Sequence, residues 1–82
     1  MDSIAFDLRQ LRTYITVVET GSFSKAANHL NQTQSAVSQL VQSLEQVLDC
    51  KLLDRSKRPI QLTLAGRELY EQGSKLLAES RK

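Results

Sequence analysis

Seven uncharged polar residues, Gln34, Ser35, Ser38, Gln39, Gln42, Ser43 and Gln46, recur at three- and four-residue intervals, the spacing that collects side chains on one side of an α-helix. Glutamine and serine both donate and accept hydrogen bonds. A helix face built from them suits a surface that presents donors and acceptors in a fixed pattern, such as the base edges of a duplex groove. A solvated helix normally mixes Lys with Glu, yet no carboxylate occurs between Thr20 and Leu44. An ordinary solvated face low in charge is the competing reading of the same residues.

Charge supplies the second candidate. The 82 residues carry a formal net charge of +2, with 24% charged and 40% hydrophobic residues. That small excess is concentrated: residues 50–67 hold Lys51, Arg55, Lys57, Arg58 and Arg67 against Asp54 alone, a local balance of +4, while residues 20–49 balance to −1. Positive charge beside a carboxylate-free polar face suits a polyanion, because phosphate attraction supplies affinity and uncharged side chains discriminate. Other chemistry has little to work with. Cys50 is the one cysteine and His29 the one histidine, so neither a disulfide nor a Cys/His zinc set is available, and no metal or other cofactor is expected. No G-x-S-x-G elbow or glycine-rich phosphate loop is present, which disfavours an enzyme. Cys50 reads as a small apolar residue near the core and His29 as a helix-surface residue. The absence of a long apolar run or a signal-like start gives the expectation of a cytoplasmic chain with no membrane partner.

The elements that must position these groups follow from apolar periodicity. Leu8, Leu11, Ile15 and Val18 predict a first helix over about 8–19, with Asp7 as its N-cap, Tyr14 on the buried side and Gly21 as the stop. Ser22 caps a short second helix carrying Phe23, Ala26, Ala27 and Leu30, whose alanines permit close helix approach. Asn31-Gln32 breaks the pattern, and Thr33 caps a third helix with the stripe Val37, Leu40, Val41, Leu44 and Leu48. Leu52-Leu53 and Ile60-Gln61-Leu62 predict two brief strands around the basic turn that contains Pro59, with an irregular loop as the competing assignment. Thr63 caps a last helix, which carries Leu64, Leu69, Leu76 and Leu77 with the small residues Ala65 and Gly73. In a chain this short, a second subunit is as suitable a destination for that stripe as the chain's own core.

This order predicts a mainly α winged helix-turn-helix, three helices plus a short two-stranded wing followed by a long C-terminal helix. It also carries a specific resemblance. The run Asp7-Leu8-Arg9-Gln10-Leu11-Arg12, then Gly21-Ser22-Phe23-Ser24-Lys25-Ala26-Ala27, Leu30, Thr33-Gln34-Ser35-Ala36-Val37-Ser38, Leu44-Glu45, Lys51-Leu52-Leu53-Asp54-Arg55 and Leu62-Thr63-Leu64-Ala65-Gly66 resembles the N-terminal DNA-binding domain of LysR-type transcriptional regulators. The resemblance implies a winged domain over 6–63 with its helix-turn-helix at about 23–42, and a linker and dimerisation helix over 64–82. It further implies a bacterial, sequence-specific binder of double-stranded DNA that recognises an inverted-repeat operator as a homodimer. The full-length protein would be a possible tetramer, with a small-molecule effector bound in a separate domain absent from this chain, which therefore reads as an excised or truncated fragment.

Carried over position by position, Gln34, Ser35, Ser38 and Gln39 face base edges in the major groove. Ser22, Thr33, Arg55 and Arg58 contact phosphate or the minor groove, where the charge of Lys57 on the hairpin tip is also expected to lie, and Leu64, Leu69, Gly73, Leu76 and Leu77 line the dimerisation stripe. Three residues depart from the family pattern: Ser35 stands where proline is frequent, Gln39 where arginine is frequent, and Asp49 where glycine usually ends the third helix. Gln39 either favours adenine or contributes less affinity than arginine, and Asp49 is expected to keep the left-handed exit at a modest cost. The alternative from another class is a helical protein-interaction module that uses the Leu69 and Leu76 stripe without DNA.

Overall fold

The computed structural model describes residues 8–57 and 59–80; Asp7, expected as a cap, and Arg58 fall outside them. Among the described residues are four helices, α1 (Leu8–Thr20), α2 (Phe23–Leu30), α3 (Gln34–Leu48) and α4 (Leu64–Ser80), with a hairpin of β1 (Leu53–Asp54) and β2 (Gln61–Leu62) between the last two. The strands are antiparallel, with Leu53 opposite Leu62 and Asp54 opposite Gln61. This is the winged helix-turn-helix expected from the pattern. The first strand starts one residue later than expected and extends to Asp54, and Ile60 falls just outside the second.

The local grammar explains the boundaries. The Ser22 hydroxyl oxygen accepts from the Lys25 N–H at 3.1 Å, that of Thr33 from the Ala36 N–H at 3.0 Å, and that of Thr63 from the Gly66 N–H at 3.0 Å. Each satisfies one donor that the first helical turn leaves without a carbonyl. Helices α2 and α3 both end on a non-glycine residue in the left-handed region, Asn31 (φ 58°) and Asp49 (φ 56°). Behind Asp49 the Cys50 N–H returns to the Glu45 carbonyl at 3.1 Å, closing the last turn of α3. The exit expected at Asp49 is thus retained without glycine. It also carries Cys50 outward: the thiol is exposed, contrary to the core position expected for it, and Leu52 and Leu53 fill the space instead.

Helix α1 packs against α2, α3 and α4. Being surrounded, it buries a wider arc than a single stripe: Leu11, Tyr14, Ile15 and Val17 are buried with Thr13, whereas Leu8 at the first turn is half exposed. Val37, Val41 and Leu44 of α3 and Ala26 and Ala27 of α2 close the core from the other side. The predicted small-residue contact is thus present. No helix among the described residues is long and apolar enough to cross a membrane.

Candidate nucleic-acid interface

The third helix turns its uncharged polar face outward. Gln34, Ser35, Gln39, Gln42 and Gln46 are exposed and Ser38 and Ser43 are partly buried, while Val37, Val41 and Leu44 on the reverse side are buried. The core therefore fixes the rotation of α3 about its own axis, and that rotation presents Gln34, Ser35 and Gln39 together. Because Ser22 and Thr33 accept at their caps, each hydroxyl retains its O–H proton to donate outward, as a phosphate contact requires.

The wing stands beside this face. Its tip is closed by Asp54, whose carboxylate accepts from the Ser56 N–H at 3.1 Å and from the Ser56 hydroxyl at 2.5 Å. Those two bonds and, more weakly, the nearby Lys57 charge hold the Asp54 carboxyl below its ordinary range. The one acid of the turn is thus tied down locally, and Lys57 is exposed.

Arg55 behaves differently from an exposed turn residue. Its guanidinium folds back from the wing, donating from Nη1 to the Ser38 hydroxyl at 2.9 Å and lying 4.3 Å above the centroid of the Phe23 ring. Its Nη2 is sealed from solvent. One side chain of the wing therefore touches α2 and α3 at once, and Ser38 is engaged before any ligand arrives.

Two further groups position the interface, and neither was singled out from sequence for that role. Glu45 is buried, and its carboxylate accepts from the Leu52 N–H at 2.8 Å and the Leu53 N–H at 3.3 Å, fastening the start of β1 to α3. Its sequence signal was available: it lies four residues after Val41 on the apolar side of a helix whose stripe is otherwise hydrophobic. Gly66 lets the first turn of α4 approach the chain before the wing. A Cβ there would overlap the Leu52 carbonyl oxygen and lie 2.8 Å from the Tyr14 hydroxyl. Tyr14 donates to the Gly66 carbonyl at 2.6 Å, and Thr63 bridges the same junction, its N–H to the Leu52 carbonyl at 3.1 Å and its hydroxyl to the Lys51 carbonyl at 2.6 Å.

The five α4 residues predicted to form a dimerisation stripe separate into two groups. Gly73 and Leu77 are buried within the chain, Gly73 directly against Leu11, and Leu69 is partly buried against the same core. Leu64 and Leu76 are 83% and 49% exposed. The apolar face of α4 thus serves α1 of its own chain first, and these two leucines remain on the surface.

Residues 8–67 match the model of a family described as bacterial regulatory helix-turn-helix protein, lysR family. The SDS degradation transcriptional activation protein of Pseudomonas sp. is 45% identical over 71 residues, covering 87% of this chain and 23% of that protein. The HTH-type transcriptional regulator BenM of Acinetobacter baylyi is 42% identical over 72 residues, covering 88% of this chain and 24% of BenM. The crystal structure of the BenM DNA-binding domain with catB site 1 DNA superposes with a TM-score of 0.90 at 39% identity, covering 93% of this chain and 82% of that one. The chain thus spans about a quarter of the length of these two curated relatives.

Proposed function

Since the chain belongs to the lysR family of bacterial regulatory helix-turn-helix proteins, we propose that it binds double-stranded DNA sequence-specifically as the DNA-binding domain of a transcriptional regulator. The observation that carries this reading is the rotation of α3, which directs Gln34, Ser35 and Gln39 outward beside a basic wing while its reverse face is locked in the core. The first turns of α3 enter the major groove, where Gln34 and Gln39 present the amide pair that matches adenine N6 and N7, and Ser35 and Ser38 offer hydroxyls. Ser22 and Thr33 at the helix caps bond flanking phosphates, and Lys57 on the wing follows the backbone into the adjacent minor groove; the charge of Arg58, next to it in sequence, adds to the attraction.

A second copy completes the reader. Leu64 and Leu76, left exposed on α4, pack against the same helix of a partner subunit, and the resulting two-fold axis requires an inverted repeat. In the full-length regulator this domain directs the remainder of the protein to its promoter.

Fluorescence anisotropy with a cognate and a scrambled duplex at fixed salt tests the reading. Gln34→Ala and Gln39→Ala lower the ratio of the two affinities by roughly tenfold each, the loss of one good base contact. Lys57→Ala weakens binding to both duplexes and reduces the salt slope by about 0.9. An unchanged affinity ratio in both glutamine variants contradicts the assignment.

A further inference from the structure

Arg55 has the composition of a phosphate ligand and the geometry of something else. A residue that neutralises a phosphate stands at the surface with its fork turned to solvent. The Arg55 fork instead has Nη2 sealed from water, Nη1 bonded to Ser38 on α3, and its flat face on Phe23 of α2. The two partners come from two helices, and the side chain that joins them starts in the wing turn, one residue after β1. A planar guanidinium satisfies both contacts at once because it stacks through its face and donates through its edge.

We propose that Arg55 is a positioning residue that sets the wing against the recognition helix, and that Ser38 serves as its anchor. The inference rests on the DNA-binding reading and deepens it, since it separates the arginine that orders the interface from the cations that meet phosphate. Its consequence is that Arg55 governs discrimination between sequences. The Ser38 hydroxyl accepts from Arg55 with a lone pair, which leaves its O–H available to donate to an acceptor in the groove. The wing, held at one angle, admits Lys57 to the backbone in a single register relative to Gln34 and Gln39.

Lysine at position 55 separates the two roles, because it retains the charge and loses both the fork and the stacking plane. For a positioning residue, Arg55→Lys lowers the cognate-to-scrambled affinity ratio roughly tenfold while the salt slope stays at the wild-type value. It also speeds amide exchange across the wing turn. For a phosphate ligand, Arg55→Lys leaves the ratio and the exchange unchanged, and Arg55→Ala lowers the slope by about 0.9.

Ser38→Ala supplies the second variant should Arg55→Lys unfold. Its wing turn exchanges faster than in wild type, although position 38 lies outside the wing. In the double variant the losses of discrimination do not add, because either change alone breaks the same contact. Wild-type exchange in the wing of Ser38→Ala, or full additivity in the double variant, overturns the proposal. Failure of the unmodified chain to distinguish any duplexes overturns the DNA-binding reading itself, which the arms with wild-type protein report separately.

Discussion

Replacing Gly66 by alanine tests how the last helix is seated. Inside a helix such a change ordinarily stabilises by up to about 1 kcal/mol. Here the added methyl would overlap the Leu52 carbonyl oxygen and lie 2.8 Å from the Tyr14 hydroxyl. Neither obstacle retreats easily. Leu52 is buried, its carbonyl accepts from the Thr63 N–H and its own N–H is held by Glu45, while Tyr14 is fully buried. The first turn of α4 must therefore lift. Overpacking of this kind costs about 1–3 kcal/mol, and each hydrogen bond opened at the junction adds about 1 kcal/mol. The net expectation is a loss of roughly 2–4 kcal/mol, which for a domain of this size lowers Tm by about 10 °C or more. Gly73→Ala is the matched control, because its methyl would meet chiefly the end of the Leu11 side chain, at 2.8 Å, and the tip of Ile15 at 3.4 Å. Those ends can rotate, so overpacking and the gain in helix propensity nearly cancel, within about 1 kcal/mol. Urea unfolding of both variants gives the answer. A Gly66→Ala protein as stable as Gly73→Ala would show that the first turn of α4 is not held against Leu52 and Tyr14 by the missing side chain.

Tyr14→Phe removes the bond to Gly66 and costs about 1 kcal/mol near neutral pH. Burial, followed by the charges of Glu45 and Cys50, raises the Tyr14 hydroxyl far above its ordinary value, so the native chain keeps a proton that the unfolded chain releases above about pH 10. That contribution is fully present below pH 10 and declines as pH rises further; urea midpoints across this range should fall less steeply in Tyr14→Phe than in wild type. Glu45→Ala leaves the Leu52 and Leu53 N–H groups without their carboxylate, for a loss of roughly 2–4 kcal/mol. Faster amide exchange at those two residues is the direct readout. Asp49→Gly relieves a side chain at φ 56° and should stabilise by up to about 1 kcal/mol, visible as a higher Tm.

Much of the architecture was legible because it depends on local rules. Ser22, Thr33 and Thr63 announce helix starts through short hydroxyl side chains, and the α3 stripe announces its buried face through periodicity. The outward glutamines followed from the same periodicity, since burying Val37, Val41 and Leu44 leaves them no other direction. What escaped depends on contacts between distant parts of the chain. Arg55 and Ser38 are 17 residues apart and Tyr14 and Gly66 are 52 apart. No local pattern indicates that a basic turn residue folds back onto Phe23. Gly73 and Leu77 illustrate a different ambiguity: an apolar stripe reveals that it must be covered, and only the packed structure shows that α1 covers these two while Leu64 and Leu76 stay exposed. Cys50 lies at the surface because the left-handed turn at Asp49 redirects the chain outward immediately before it, a turn that apolar periodicity does not encode.

Selection of bound duplexes from a random library by the 82-residue chain shows whether α3 reads DNA sequence as half of a two-fold reader. The expected result is an enriched inverted repeat whose half-sites lie about one helical turn, roughly 10 base pairs, or a multiple of it apart. Recovery of duplexes with no sequence in common, at every salt concentration that permits binding, would contradict it.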